Sequence, residues 1–366
     1  MNVANSFFPS RTITIYMGRM FLIRAFAVLF AIAIVLQTLD LLGQSDKVLA
    51  YPGNGSDELW RYLSLRFPQI IAFLLPFSIL LGTLVTLATL NQNSEVVSLK
   101  AAGLSAHQVL APLIVASLIV AAISFVFNDR IVSRATATLD QWERAEFGPI
   151  PDQRADQVNV WVRDGDNLIH AARVAGRGAA TRLTDVTVYN RSGGTLQSVV
   201  TAASATPVGT GWRLVGARQF DVARGADRPL GTIETARGVR PDQFALANVD
   251  GDGLSFRKLW AAIDDLKAAG RPTGALEATL WHKIANPLSA VLMPLLGAVA
   301  AFGLARSGRL FIRAVIGMAL GFAYFVADNF GLAMGNLGAY PPLLAAWGPF
   351  FLFLLIGEAV LIQTEE

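Results

Sequence analysis

Cysteine is absent from the 366 residues, so no disulfide framework, thiol nucleophile or cysteine-ligated metal centre is available. Charge is scarce too. Only 16% of residues are Asp, Glu, Lys or Arg while 53% are hydrophobic, and the mean hydropathy of +0.47 is too apolar for an ordinary soluble domain. A membrane protein is the class that remains. No Gly-Lys dipeptide occurs, which removes the P-loop phosphate cradle and with it a built-in P-loop ATPase. The net charge of +3 comes from dispersed bases with no Lys/Arg stripe or recognition motif, so a nucleic-acid binder is disfavoured. His107, His170 and His282 stand apart without metal-ligand spacing and read as structural or interfacial histidines. The turns Asp164 to Asn167 (DGDN) and Asp250 to Gly253 (DGDG) lack the 12-residue order of a calcium loop and read as hairpin turn or linker.

What is present is long apolar runs. A helix needs about 20 apolar residues to cross ~30 Å of hydrocarbon. Met20 to Leu42, Phe67 to Leu90 and Val109 to Phe127 form one group of such runs, and Ile284 to Leu304, Ala314 to Gly335 and Leu343 to Ile362 a second. The first is longer than a signal peptide's core and has no clear small-x-small cleavage site, so it reads as a retained span. Lys and Arg resist translocation. With both termini inside, the cytoplasmic side collects Arg11, Arg19, Arg24, Lys100, Arg306, Arg309 and Arg313, against Lys47, Arg61 and Arg66 in the opposite short loops. The third span then ends outside, and the region from about Asn128 to Leu280 is extracytoplasmic.

That middle region alternates at strand period. QVNVWVR (157 to 163) places Val158, Val160 and Val162 on one face, and LIHAARV (168 to 174) resumes the pattern after the DGDN turn. LTDVTVYN, TLQSVVTAASA, WRLVGARQFDV and GTIETARGV continue it. Such spacing points to a sandwich, jelly roll or related β architecture of about 130 residues. LSFRKLWAAIDDLKAAG then turns helical, with Leu259, Ile263 and Leu266 on one face and Gly270 before Pro272 as its stop. The expected fold is therefore an α-helical polytopic membrane protein of six spans, three plus three, around an inserted β domain of sandwich, β-jellyroll-like or related architecture. Its boundaries are 1–128 for the first three spans, 129–257 for the β domain, 258–280 for a connecting helix and loop, and 281–366 for the last three.

Acids in such spans are costly, at least ~2.5 to 3.5 kcal/mol at the bilayer centre. Asp328, in YFVADNFG beside Asn329, lies mid-span. It reads either as the lining of a polar cavity or as a protonated or internally paired acid that holds helices together. Asp40 and Glu358 sit near span ends, where snorkelling suffices. An intramembrane aspartyl protease usually carries Gly-x-Gly-Asp, whereas this chain has Ala327-Asp328-Asn329. Pro76, Pro112, Pro287 and Pro294 fall within spans, but the two groups lack the mutually similar broken helices of a secondary transporter.

Between the second and third spans lies NQNSEVVSLKAAG, Asn91 to Gly103. Asn93 or Ser94 suits an N-cap, Glu95 the first turn, Lys100 the last turn and Gly103 a left-handed stop, which predicts a cytoplasmic helix near 94–102. At about nine residues it is too short to stand alone in water. Either it is a solvated turn, or it docks through Val96, Val97 and Leu99 with Glu95 reaching a cationic partner.

The order of three spans, β domain and three spans, with NSEVVSLKAAG after the second span, WVRDGDNLIH opening the β domain and YFVADN in the fifth span, resembles the LptF/LptG family of lipopolysaccharide-export permeases. The likeness runs over nearly the whole chain. WVRDGDN, LWAAIDDLKAAG and FVADNFG are similar to the LptG branch. No single motif is catalytic; order and spacing carry the match.

The resemblance implies a permease subunit in the bacterial inner membrane, with an LptF-like permease completing a heterodimer and an LptB-like ATPase dimer consuming ATP and Mg²⁺ below. It implies no catalytic residue, metal or cofactor in this chain itself. An LptC-like membrane-anchored protein and a periplasmic LptA-like bridge complete the set, and lipopolysaccharide is held mainly by the first, second and fifth spans, the first and fifth forming lateral gates. Glu95, with Ser94, Val97 and Leu99, takes the place of the coupling helix that sits in a groove of the ATPase. LptG-like first spans often carry lysines toward their outer half, suited to lipid A phosphates, whereas this one has Gln37, Asp40, Gly43 and Gln44. Lys47, Arg61, Arg66, Arg130 and Arg134 near the expected outer edge can supply that charge instead. Each of them alone also reads as an interfacial anchor, and a lipid A with fewer phosphates accounts equally for the missing lysines.

Two rival readings remain. A lipoprotein-release permease is also an ABC-type subunit, but that family usually puts its large domain after the first of four spans. An intramembrane hydrolase would depend on Asp328. A topology reporter fused at Gly165 is expected to lie outside the cytoplasm; cytoplasmic activity of that fusion overturns the whole arrangement.

Overall fold

A computed structural model of the protein describes residues 9–149, 157–176, 180–209, 211–235, 239, 241, 244, 251–268, 271–303 and 310–365. Six helices among them are long and apolar enough to cross a membrane, with an antiparallel β-sheet between the third and the fourth. The helices are α1 (Arg11–Ala50), α2 (Ser56–Gln92), the short α3 (Glu95–Ala101), α4 (Ala106–Phe127), α5 (Ser133–Arg144), α6 (Phe256–Ala268), α7 (Gly274–Ala298), α8 (Leu310–Asn336) and α9 (Pro342–Glu365). Arg306 and Arg309, which the topology argument counted, lie outside the described residues, as do Asp250 and Gly270.

The chain divides into two compact units. One comprises Met1–Pro149, Gly251–Trp260 and Gly274–Glu366, and the other Ile150–Asp250 and Ala261–Thr273. In the first, α2, α4 and α7 occupy the centre and bury more of their apolar windows than α1, α8 and α9 do. Lipid tails are as apolar as leucine, so burial alone cannot hold these helices together; close packing of small residues contributes instead. Gly82 of α2 lies against α1, where an added Cβ would come within 2.7 Å of Ala25. Gly321 of α8 makes room for Leu80 of α2 in the same way.

Where the sequence reading opened the β region, at residue 129, the chain stays helical. A π-helical turn over Asn128–Val132 leads from α4 into α5. Ser133 donates its hydroxyl to the Asp129 carbonyl at 2.6 Å, and the Asp129 side chain accepts the Phe256 N–H at 2.5 Å, capping α6. The α5 segment was hard to read because it is polar overall and amphipathic, burying only Ser133, Ala135, Leu139 and Trp142.

The second unit is built on β1 (Gln157–Asp164), β2 (Asn167–Ala175), β3 (Arg182–Ser192), β4 (Thr195–Val208), β5 (Gly211–Asp221) and β6 (Ala226–Thr235), each strand pairing antiparallel with the next in sequence. Asp164 pairs with Asn167 across a two-residue turn that needs the positive φ of Gly165, at +59°. Alternation works as the pattern demands: Val160, Val162, Ile169, Ala171, Val186, Val188, Val200 and Ala202 are buried. Trp212 is buried at the other end of the sheet, donating its indole N–H to the Val239 carbonyl at 2.8 Å and meeting Phe244 edge-on at 5.0 Å.

Replacing Gly82 by Val is expected to force α1 and α2 apart and to cost about 1–3 kcal/mol or more. Thermal unfolding of the detergent-purified protein measures it, and an unchanged midpoint contradicts the packing argument.

Candidate functional site

Three places gather the polar side chains of the helical unit. The first is the short helix α3, set between α2 and α4. It has seven residues rather than nine. Ser94, one of the two residues expected as N-cap, precedes it in the left-handed region at φ 59° and makes no side-chain cap. Asn93 instead turns its amide to the Glu95 carboxylate, Nδ2 to Oε1 at 3.2 Å. Gly103 provides the left-handed stop at φ +88°. Val96 is buried, Leu99 half-buried, and Val97 points outward at 62% exposure. Glu95 is half-buried and also accepts a long hydrogen bond, 3.4 Å, from the Tyr16 hydroxyl of α1. The helix is thus seated by Val96 on its own chain while Val97 and one side of Glu95 stay accessible.

The second place lies where α1 and α2 approach their connecting turn. Asp40 accepts from the Tyr62 hydroxyl at 2.7 Å and from Arg66 Nε and Nη2, each at 3.2 Å. Arg66 also reaches Gln69 at 2.8 Å. Arg61 lies over the ring of Trp142, its guanidinium carbon 4.6 Å from the centroid, and Trp142 and Tyr62 both meet Phe147 edge-on. Of the bases set aside for anionic lipid, therefore, Arg66 is joined to Asp40 and Arg61 to an aromatic ring. Lys47, Arg130 and Arg134 stand exposed, with no ion pair among the described residues. Gln37 is buried, and its amide finds no hydrogen bond among the described residues.

The third place is a cavity of about 250 Å³ between α2, α7 and α8. His282, Asn286 and Ser289 of α7 line it at spacings of four and three, one helical face; Gly321, Tyr324 and Asp328 of α8 do the same at three and four. His282 Nε2 and Asp328 Oδ2 are 2.9 Å apart, with both side chains largely buried. Asp328 Oδ1 is buried without a hydrogen bond among the described residues. Asn329, at the rim, ties its amide to the Phe325 carbonyl at 2.8 Å. A similar pair sits elsewhere in the unit, where His107 of α4 meets Glu358 of α9 at 3.1 Å.

The sequence reading set His282 and His107 apart as isolated, and it did not name Tyr16, Tyr62 or Trp142. The one signal available for His282 was the run His282, Asn286, Ser289, a polar line at helical spacing inside an apolar segment.

Compared with known proteins, residues 15–363 match the family described as lipopolysaccharide export system permease LptF/LptG. The lipopolysaccharide export system permease protein LptG of Escherichia coli strain K12 is 27% identical over 316 residues, covering 83% of this chain and 85% of the relative. LptG of Haemophilus influenzae is 23% identical over 355 residues, covering 94% and 96%.

Removing the Asp40 charge with Asp40→Asn is expected to lower stability by about 1.5–3 kcal/mol, the usual range for hydrogen bonds to a charged group. Tyr62→Phe should cost less, about 1 kcal/mol. Thermal melts of both variants test the ranking, and equal midpoints to the parent protein reject the pairing as a stabilising element.

Proposed function

Because the chain belongs to the LptF/LptG family and is a permease of lipopolysaccharide export, we propose that it works as the LptG-type half of a heterodimer with an LptF-like permease, driven through α3 by an LptB-like ATPase dimer. The observation that carries this reading is the seating of α3: buried Val96, outward Val97 and a half-buried Glu95 on a seven-residue helix between two spans. In this reading both termini are cytoplasmic, α3 faces the ATPase, and the β-sheet unit is periplasmic.

The mechanism follows from what α3 is attached to. Expelling a multi-acyl lipid from an apolar cavity is costly at ~0.8 kcal/mol per CH₂, so an external energy source is needed. This chain has no phosphate cradle of its own. Closure of the ATPase dimer on ATP and Mg²⁺ moves α3, with Val97 and Leu99 as the apolar contact and Glu95 as the charged one. Motion of α3 passes directly to α2 and α4, its neighbours in sequence, and to α1 through the Tyr16 hydroxyl on Glu95. Of these, α1 and α2 are the first and second spans, which with the fifth hold the lipid in this reading, so the lipid's path narrows and the lipid is pushed outward. An LptC-like protein and a periplasmic LptA-like bridge receive it. Lys47, Arg130 and Arg134, exposed and unpaired among the described residues, are the bases most available to lipid phosphates. Arg61 and Arg66 would first have to leave Trp142 and Asp40.

Glu95→Ala is expected to weaken ATPase association or to uncouple ATP hydrolysis from export, since truncating one partner of an interfacial charge pair typically costs ~2 to 5 kcal/mol. Tyr16→Phe should leave assembly intact and reduce export less. Copurification in mild detergent, with the ATPase rate and lipopolysaccharide release in liposomes, measures both. Unchanged assembly, hydrolysis and export in Glu95→Ala would rule the coupling role out, and purification without any ATPase would rule out the assembly itself.

A further inference from the structure

The cavity between α2, α7 and α8 is not needed for the coupling route, yet its chemistry is specific. Asp328 sits on the wall with only 7% of the residue exposed, and its Oδ1 is buried with no hydrogen bond among the described residues. A buried carboxylate oxygen without a donor is costly, so whatever fills the space is expected to bring one. The lining is also rich in aromatic rings. Phe73 and Phe77 of α2 and Phe325 of α8 cluster with centroids 5.3 to 6.1 Å apart, and Tyr324 stands beside them.

The lining decides among occupants. No Lys or Arg lies on the described wall, which disfavours an anion. Among the described residues no group of three or more His, Cys, Asp or Glu is present to hold a metal ion. An acyl chain would leave Oδ1 unpaired. An ammonium matches both features of the lining: its N–H groups can pair with the carboxylate oxygen that has no partner among the described residues, and its charge is attracted to aromatic rings. Asp328 is the only acidic side chain on the described wall, and an ammonium is the complementary group in a medium that penalises net charge. The hydroxyl of Ser289 and the amide of Asn286 add acceptors for a small headgroup.

We propose that this cavity is a binding site for a primary ammonium group carried by a lipid headgroup, held by Asp328 and enclosed by Phe73, Phe77 and Phe325. The inference rests on the cavity lying within membrane-spanning helices and stands whichever lipid the assembly exports. The ammonium has two possible sources, an ethanolamine phospholipid or an amine substituent on lipopolysaccharide.

The test uses the chain with its copurifying subunits in nanodiscs. In one arm the discs hold equal amounts of phosphatidylethanolamine and phosphatidylglycerol; in the other they hold phosphatidylglycerol with lipopolysaccharide bearing or lacking a primary amine. Lipid retained after gentle delipidation is quantified by native mass spectrometry. The parent protein should prefer the amine-bearing lipid by about tenfold in at least one arm, and Asp328→Asn, which keeps shape and neutralises the charge, should abolish the preference. Phe325→Leu keeps the carboxylate and should reduce the preference by about two- to fivefold, which tests the site even if Asp328→Asn fails to assemble. Preference in the first arm alone assigns the site to bulk phospholipid, and in the second alone to substrate. No preference in either arm, or equal preference in parent and Phe325→Leu together with parent and Asp328→Asn, overturns the proposal.

Discussion

An acid on a membrane-spanning helix must find a counterpart on another helix, and the helical unit is organised around meetings of that kind. Asp40 of α1 meets Tyr62 and Arg66 of α2, Asp328 of α8 meets His282 of α7, and Glu358 of α9 meets His107 of α4. Each pair joins two different helices, and the last joins the first group of spans to the second. Interior packing by Gly82 on Ala25 and Gly321 on Leu80 lets the helices approach closely. The polar pairs add a constraint along the axes, because a slip of one turn, about 5.4 Å, would leave an acid facing hydrocarbon. Small residues therefore set the spacing of the helices while the acids set their register.

The same division explains what was legible in the sequence. Hydropathy marks the six spans because crossing hydrocarbon needs length and apolarity, which are local properties. Alternating Val160, Val162, Ile169 and Ala171 marks strands for a similar reason, and the Gly165 turn closes the first hairpin. Partnerships between helices are not local. His282 is separated from Asp328 by 46 positions and His107 from Glu358 by 251, so the residues beside either histidine do not name its partner. Gln37, which by its place in the outer half of the first span is a candidate lipid contact along with Asp40, is buried on α1. Glu95 and Val97 were legible as a short helix because caps and charges follow the helix dipole, but the left-handed Ser94 was not, since a serine ordinarily signals a side-chain cap.

Division of labour among the spans also bears on transport. The helices α2, α4 and α7 are buried by their neighbours, whereas α1, α8 and α9 show most of their apolar surface outward. A permease that admits a lipid sideways needs outer helices that can part without exposing the centre. Asp40 with Arg66 ties α1 to α2 at one end, Gly82 packs on Ala25 between, and Tyr16 with Glu95 touches the same helix at the other end.

The π-helical turn at Asn128–Val132 has a geometric effect of its own. Helix α4, the turn and α5 together run from Ala106 to Arg144, 39 residues, or roughly 58 Å at 1.5 Å per residue, about twice the hydrocarbon thickness. One extra residue in a helix rotates everything beyond it by about 100°. That rotation aims Ala135, Leu139 and Trp142 inward and puts Trp142 under Arg61. The turn acts as a phase adjuster: the face that α4 needs inside the bilayer and the face that α5 needs beyond it are set independently, on one continuous rod.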